Sequence, residues 1–310
     1  MARKKSKKKK TPDTPALSPR STEQTMRDIS RMFSEREFDS EEEMNQFLRE
    51  QMISGQPVPA QPRSAVDRAQ DIIYQAFEAR SRTQMVKLAR KALDISPDCA
   101  DGYVMLADLN SQTLAEAWAL YEAGVKAGER ALGDEFEELK GHFWGYIETR
   151  PYMRARLGLA TTLWTLGRLE EAAQHMDAML ALNPNDNQGV RQLYITLLLE
   201  MEDTRRLEKL LKQYPDDWSA CWKYGRALYE FRKKGKGGKA DELLSDAIAY
   251  NPHVPPYLLG KKKLPKQQSA PYYSPGDEVE AVDYVMAGIR PWTQTAGALD
   301  WLKDLLAQLE

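Results

Sequence analysis

Apolar residues recur three and four positions apart on both sides of a glycine in residues 156–186. The first stripe spans about 154–166 and the second starts at 168, so each predicts one face of an amphipathic helix. Gly167 is predicted to end the first helix in a left-handed cap, a conformation that glycine adopts at little cost. Pro184 is predicted to close the second helix, because proline cannot continue one.

Small residues lie at matched places in these two helices. Ala160 in the first and Ala172 in the second leave room for a neighbouring helix to approach closely. Two helices with small residues, a glycine turn and a terminal proline in register are typical of a tetratricopeptide repeat, whose unit is about 34 residues long. A generic helical hairpin with a leucine core is the alternative interpretation. Because such a unit cannot bury its apolar face alone, the repeat interpretation predicts a stack of copies.

Closing prolines mark further copies of the unit, at positions 97, 215 and 252. The interval between Pro97 and Pro184 is long enough for two units and an insert at residues 133–150. We therefore predict an all-α fold, a tetratricopeptide-repeat right-handed superhelical solenoid of about five helical hairpins, over residues 63–252.

The segments on either side of the repeats have different patterns. Residues 1–21 are basic and contain several prolines, and are predicted to form a disordered tail. Residues 22–62 predict two short amphipathic helices and a proline-rich linker; they are either a partner-binding or self-docking segment or a simple N-terminal cap. Residues 253–310 leave the repeat pattern and predict a C-terminal cap, since terminal repeats need a polar outer face.

Helix limits are also predicted within these flanking segments. Ser40 and Glu43 have the spacing of a capping box at the start of the second N-terminal helix. The C-terminal cap is predicted to hold one helix at about 277–289 and another at about 296–309.

The composition favours a soluble helical protein with a sizeable core. Of the 310 residues, 42% are hydrophobic and 29% are charged. No apolar run approaches the ~18 residues of a membrane-spanning helix, and no secretory signal is visible. The two cysteines, Cys99 and Cys221, fall in different units, which favours reduced thiols over a disulfide. We therefore expect a cytoplasmic protein without a membrane role.

Charge is divided unevenly along the chain. Residues 1–20 carry eight Lys or Arg and one Asp, whereas the whole chain has a net charge of −2. The basic tail is a candidate for weak, salt-sensitive contact with nucleic acid or the ribosome. A solvated tail with no dedicated partner is the alternative, and no aromatic residue interleaves the lysines to stack on bases. The candidate contact residues are Lys4, Lys5, Lys7, Lys8, Lys9 and Lys10.

Several runs of this sequence resemble the suppressor-of-tumorigenicity-seven family, and more closely its bacterial tetratricopeptide relatives. The runs are 148–191, 251–265, 276–284 and 297–302, and the likeness covers about 65–305. It implies a helical-repeat fold, and it implies no enzymatic activity or catalytic residues. Eukaryotic members carry membrane segments near the N-terminus, where this chain has a basic tail instead.

The insert offers one place where chemistry is conceivable. His142 lies there among acidic and aromatic residues, a setting that suits acid–base catalysis. The alternative is an insert that packs Phe143 and Trp144 onto the repeats while its acids stay in water. His142, His175 and His253 lack a second His or Cys at ligand spacing, so we expect no metal and no cofactor.

A concave groove is the stronger candidate site. Repeats of this kind line it with the first helix of each unit, which would produce a basic and aromatic surface suited to an acidic peptide. The predicted groove residues are Arg154, Trp164, Arg191, Trp222, Lys223 and Arg226. The alternative is that they are ordinary helix surface and core. The sequence thus favours a non-enzymatic protein-interaction scaffold, with an RNA- or ribosome-associated factor using the basic tail as the other hypothesis.

Overall fold

The computed structural model describes residues 19–34, 38–54, 64–265 and 274–309. Within these ranges the chain is all-helical, with sixteen α-helices and one short 3-10 helix. An isolated bridge between Phe143 and Tyr146 is the only β pairing recorded in them. The predicted fold class is therefore confirmed at the level of an all-α protein.

The helices follow one another with short connections through most of the chain. The N-terminal helices are α1 (Pro19–Ser34), α2 (Glu41–Ser54), α3 (Ala65–Phe77), α4 (Arg82–Ile95), α5 (Ala100–Asn110), α6 (Leu114–Leu132) and α7 (Glu135–Glu138). The 3-10 helix (Ile147–Thr149) is followed by α8 (Arg150–Thr165), α9 (Leu169–Leu182), α10 (Val190–Glu200), α11 (Thr204–Gln213), α12 (Ala220–Lys234) and α13 (Gly238–Tyr250). The last helices are α14 (Val254–Leu258), α15 (Glu278–Gln294) and α16 (Ala298–Leu309).

Glycine and proline end the helices where the sequence predicts. Gly167 separates α8 from α9 with a φ of 78°, in the left-handed region that glycine favours. Helices α4, α9, α11 and α13 each end two residues before a proline, at positions 97, 184, 215 and 252. Sterics disfavour the helical region for the residue before a proline, so these ends are favoured locally.

Successive helices bury their apolar stripes against each other. Helix α3 packs on α4, α5 on α6, α8 on α9, α10 on α11 and α12 on α13, and further contacts join α5 to α8 and α10 to α12. The small residues Ala160 and Ala172 are fully buried. One hydrophobic cluster extends from Val125 to Leu305, and a second lies among α3, α4 and α5.

The insert packs onto the repeats through aromatic rings. Phe143 is fully buried, and its ring meets those of Phe136 and Tyr152 edge-on at centroid distances of 5.1 and 5.8 Å. Its backbone N–H donates to the carbonyl of Leu182 at 3.1 Å. The prediction that the insert packs onto the neighbouring helices is therefore confirmed for Phe143.

The flanking segments differ in detail from the predictions. Helix α1 begins at Pro19, so residues 19–21 of the predicted disordered tail 1–21 are helical. Residues 1–18 lie outside the described residues. Ser40 caps α2 by accepting from the N–H of Glu43 at 3.2 Å, but the Glu43 carboxylate accepts from Asp39 rather than from Ser40. In the described ranges, no helix is long and apolar enough to cross a membrane.

Helix α15 continues five residues beyond its predicted end and passes through Pro291. Tertiary contacts hold it there. Trp292 is fully buried, and its Nε1 donates to the hydroxyl of Tyr284 at 2.7 Å. Arg232 of α12 donates to the carbonyl of Pro291 at 3.1 Å. These contacts offset the hydrogen bond that proline removes.

Gly128→Ala is expected to lower the free energy of unfolding by about 1–3 kcal/mol, although alanine is the better helix former. A Cβ at position 128 would lie 2.7 Å from the Cβ and 3.0 Å from the Cα of Tyr152, so α6 and α8 would have to separate. Chemical denaturation measures the change. The exposed Lys126→Ala on the same helix is the control and should stay within about 0.5 kcal/mol. Equal stability of Gly128→Ala and the wild type would contradict this close approach.

Candidate functional site

The predicted groove residue Arg154 lies in a buried cluster of charges where α1, α5 and α8 meet. Its guanidinium donates to both oxygens of Asp101, at 2.8 and 2.6 Å, and to both oxygens of Glu23, at 3.0 Å each. Arg150 and the hydroxyl of Tyr74 also donate to Glu23, at 3.4 and 3.3 Å. Asp101 and Glu23 therefore neutralise Arg154, which was predicted to offer its charge to a ligand in the groove.

Arg191, at the start of α10, is engaged in the same way. Its guanidinium donates to Asp217 at 2.5 Å and to Asp186 at 3.1 Å, and it lies 5.2 Å from the centroid of the Tyr214 ring. Asp186 also accepts from the backbone N–H groups of Val190 and Arg191. Arg191 thus joins the start of α10 to the end of α11 instead of offering a free charge.

Three predicted groove residues on α12 lie away from the face that meets α15. Trp222 is 1% exposed, and its ring meets that of Tyr214 beyond the end of α11. Lys223 donates to Asp246 of α13 at 2.5 Å. Arg226 is partly buried and lies about 40° around the helix from Trp222. The structure corrects the expected placement of all three because α12 presents a different face to α15.

The face of α12 that meets α15 carries other residues. The ring of Tyr224 stacks on that of Tyr284 with 5.6 Å between centroids, and Arg232 donates to Thr295 at 2.7 Å. Helix α12 is apolar on more than one side because it packs against α10, α13 and α15. The 3.6-residue spacing of apolar positions does not show which side of α12 meets which neighbouring helix. The sequence therefore predicted the wrong side of α12 to line the groove.

A groove runs along α10, with α8 on one side and α15 on the other. It encloses about 650 Å³, and we call it the α10 groove. Most of its wall is apolar or neutral. Its lining includes Thr161, Trp164 and Thr165 of α8, Gln192, Leu193 and Thr196 of α10, and Met286, Ala287 and Ile289 of α15. Trp164 is therefore a predicted residue that does border an open surface.

A buried carboxylate closes one end of the α10 groove. The Glu200 side chain is 5% exposed and accepts from Nε1 of Trp164 at 2.7 Å and from Arg290 at 3.0 Å. It thereby joins α8 to α15 across the end of α10. The Arg290 side chain is 59% exposed, so most of its guanidinium faces solvent at this end.

Glu280 fixes the other end of α15. Its carboxylate accepts from the backbone N–H of Ala220 at 2.9 Å and of Gly276 at 2.7 Å, from the hydroxyl of Tyr250 at 3.1 Å and from Nδ2 of Asn251 at 3.1 Å. Three of these donors belong to the start of α12 or the end of α13, so the buried carboxylate fixes the start of α15 against those two helices.

A second cavity of about 460 Å³ adjoins the α10 groove and shares Gln192, Ser219 and Glu280 with it. Its lining includes Trp218, whose side chain is 54% exposed, and the exposed Asp216. An aromatic face beside a carboxylate suits a cation. The two cavities adjoin at polar residues.

The remaining chemistry-bearing residues form no reaction site in the described residues. His142 is exposed to solvent, so the acid–base hypothesis lacks the closed pocket on which it depended. Within the described ranges, no three His, Cys, Asp or Glu residues are placed to hold a metal ion. Cys99 and Cys221 are buried without a disulfide, and burial raises the pKa of each thiol to about 12, so both stay neutral.

Helix α15 was not predicted to line the groove, because its segment leaves the repeat pattern. The spacing of its apolar residues nevertheless indicates a packed helix. Ala281, Tyr284, Val285 and Gly288 recur three and four positions apart, and all are buried. The stripe predicts a helix that packs on the repeats, although it does not show which face of which helix it covers.

Glu280→Gln is expected to lower the free energy of unfolding by about 1–3 kcal/mol, because an amide oxygen and an NH2 group cannot accept from all four donors. The matched control is Glu278→Gln, two residues earlier, where the carboxylate is 44% exposed and meets Lys262 and the hydroxyl of Tyr257, each of which remains open to an amide oxygen. Chemical denaturation of both variants measures the difference. Equal stabilities would contradict the anchoring role of Glu280.

Residues 62–307 of this chain match the model of the family described as ST7 protein. The Suppressor of tumorigenicity 7 protein-like of Rattus norvegicus is 28% identical over 257 residues, which cover 75% of this chain and 45% of the relative. The Protein ST7 homolog of Drosophila melanogaster is 29% identical over 272 residues, with coverages of 75% and 47%. The Suppressor of tumorigenicity 7 protein-like of Homo sapiens is 27% identical over 259 residues, which cover 75% of this chain and 44% of the relative.

This chain spans less than half the length of these curated relatives. No solved structure matches it. The family model, in contrast, covers the chain from the start of the described repeats to α16. The chain therefore belongs to the ST7 protein family.

Proposed function

We propose that the paired helices are tetratricopeptide units and that the protein is a cytoplasmic, non-enzymatic scaffold that binds a peptide segment of a partner protein. The closer likeness to the bacterial relatives of the family is part of this proposal. The α10 groove is the observation that carries it, because an open cavity of about 650 Å³ with a largely apolar wall lies on a rigid helical face. Pockets of this size and composition are typical of ligand sites.

The dimensions of the groove favour a short segment. Along α10, the eight steps from Gln192 to Glu200 rise about 12 Å, which corresponds to about four residues of extended peptide. Leu193, Met286 and Ile289 offer apolar contact for one or two aliphatic side chains. Met286 is 47% exposed, so burying it against a ligand would remove apolar surface from water.

The charges at the two ends set the polarity of the ligand. Arg290 faces solvent at one end, where it suits an acidic side chain. Asp216 and Trp218 border the adjoining cavity at the other end, where they suit a basic side chain. The proposed ligand therefore has an apolar centre between opposite charges, rather than the acidic character that the sequence analysis favoured.

Met286→Asp is expected to weaken the binding of groove-selected peptides at least tenfold, because it places a charge on the apolar wall. The peptides are selected from a displayed random library on the wild-type full chain, and fluorescence anisotropy measures their affinity for each variant.

Leu114→Asp is the matched control for this substitution. Leu114 is 44% exposed at the first position of α6, remote from the groove, and an acid is tolerated at a helix N-terminus. Selected peptides should bind this variant as they bind the wild type. Equal binding to Met286→Asp and Leu114→Asp, or a library that yields no binder, would contradict the proposed function.

The basic tail carries a second candidate function, contact with RNA or the ribosome. Lys4, Lys5 and Lys7–Lys10 give it a dense positive charge. Deletion of residues 2–10 is expected to abolish cosedimentation with ribosomes at about 50 mM salt, and salt near 200 mM should abolish it for the full chain. A full chain that fails to cosediment at low salt, or that binds as well without these lysines, would contradict this function.

A further inference from the structure

A buried carboxylate of helix α1 contacts the helices that follow. Glu23 is 5% exposed. Arg154 meets it with two parallel N–H···O bonds of 3.0 Å, while Arg150 and Tyr74 donate from either side. This fork of two donors matches the planar shape of a carboxylate. We call Tyr74, Arg150 and Arg154 the Glu23 site.

Charged side chains are the buried ones in the part of α1 whose side chains the structure describes. Among the α1 side chains that the structure describes, the two buried ones are Glu23 and Arg27. Arg27 pairs with Asp67 of α3, whereas Met26 is 47% exposed. A helix held mainly by ion pairs is sensitive to salt and to competing charges.

The repeats position the Glu23 site through bonds that do not involve α1. Arg154 is fixed by Asp101, and Asp101 accepts from Gln70 at 2.8 Å. Arg150 donates to the carbonyl of Trp144 at 2.9 Å and lies 5.5 Å from the centroid of its ring. Both guanidinium groups are therefore in place before a carboxylate arrives.

The two arginines of the Glu23 site favour an anion beside them. Without Glu23, two arginines would face the single carboxylate of Asp101 in a largely buried setting. An uncompensated buried charge is costly, so the site would favour another carboxylate over water alone. Residues 35–64, which include α2, separate α1 from α3 along the chain.

We propose that the Glu23 site binds an acidic helical segment of a partner protein, and that α1 occupies it in cis until the partner displaces it. The site lies at the start of α8, whereas the α10 groove lies at its end. The inference therefore goes beyond the proposed function and does not depend on peptide binding in the groove.

The test uses the full-length protein and a fluorescent peptide with the sequence of residues 19–34. Glu23→Gln in the protein weakens the cis contact and leaves the site intact, so this variant should bind the peptide about tenfold more tightly than the wild type does. A peptide that itself carries Glu23→Gln should bind neither protein. Salt near 0.5 M should weaken the binding, because the contact is ionic.

Met26→Ala in the protein is the matched control, since it changes an exposed residue of the same helix and should leave the affinity at the wild-type value. Equal affinities of the wild type and Glu23→Gln, or binding that does not depend on Glu23 in the peptide, would overturn the inference. A wild-type dimer in sedimentation velocity that Glu23→Gln dissociates would overturn the assignment to a partner, since a second copy would then fill the site.

Discussion

The structure depends on the requirement that each helix pair bury an apolar stripe that it cannot cover by itself. Stacking meets this requirement, and it brings small positions such as Ala160, Ala172 and Gly128 into close contact with neighbouring helices. Stacking also brings polar groups of separate helix pairs together. Arg154 of α8 and Asp101 of α5 are an example, and Arg154 takes a further partner, Glu23, from α1.

The two ends of the described chain provide some of those partners through buried carboxylates. Glu23 of α1 meets Arg154 at the start of α8, and Glu280 of α15 meets the backbone N–H of Ala220 at the start of α12 and two side chains at the end of α13. The surface along α10 lies between these two contacts and remains open. The proposed binding surface is therefore what the terminal helices leave uncovered, and Glu200 sets one of its limits by joining α8 to α15.

The sequence predicts the local features of this fold well and its open face poorly. Gly167 and the closing prolines act on their own neighbours, so the ends of α8, α9, α11 and α13 could be predicted. Trp222 and Arg226 were misplaced because α12 is packed on several sides. Helix α15 passes Pro291 because Trp292 and Arg232 hold it there. Arg232 and Pro291 lie 59 positions apart in the chain, so no local pattern in the sequence predicts their contact.

Hydrogen–deuterium exchange of the full chain, with and without a groove-selected peptide, tests the central claim most directly. The account predicts slower exchange in the second half of α8, in α10 and in α15, because these segments form the wall of the α10 groove. Exchange around Arg226 on α12 should stay unchanged. Protection on that side of α12, or no localised protection from a bound peptide, would contradict the account.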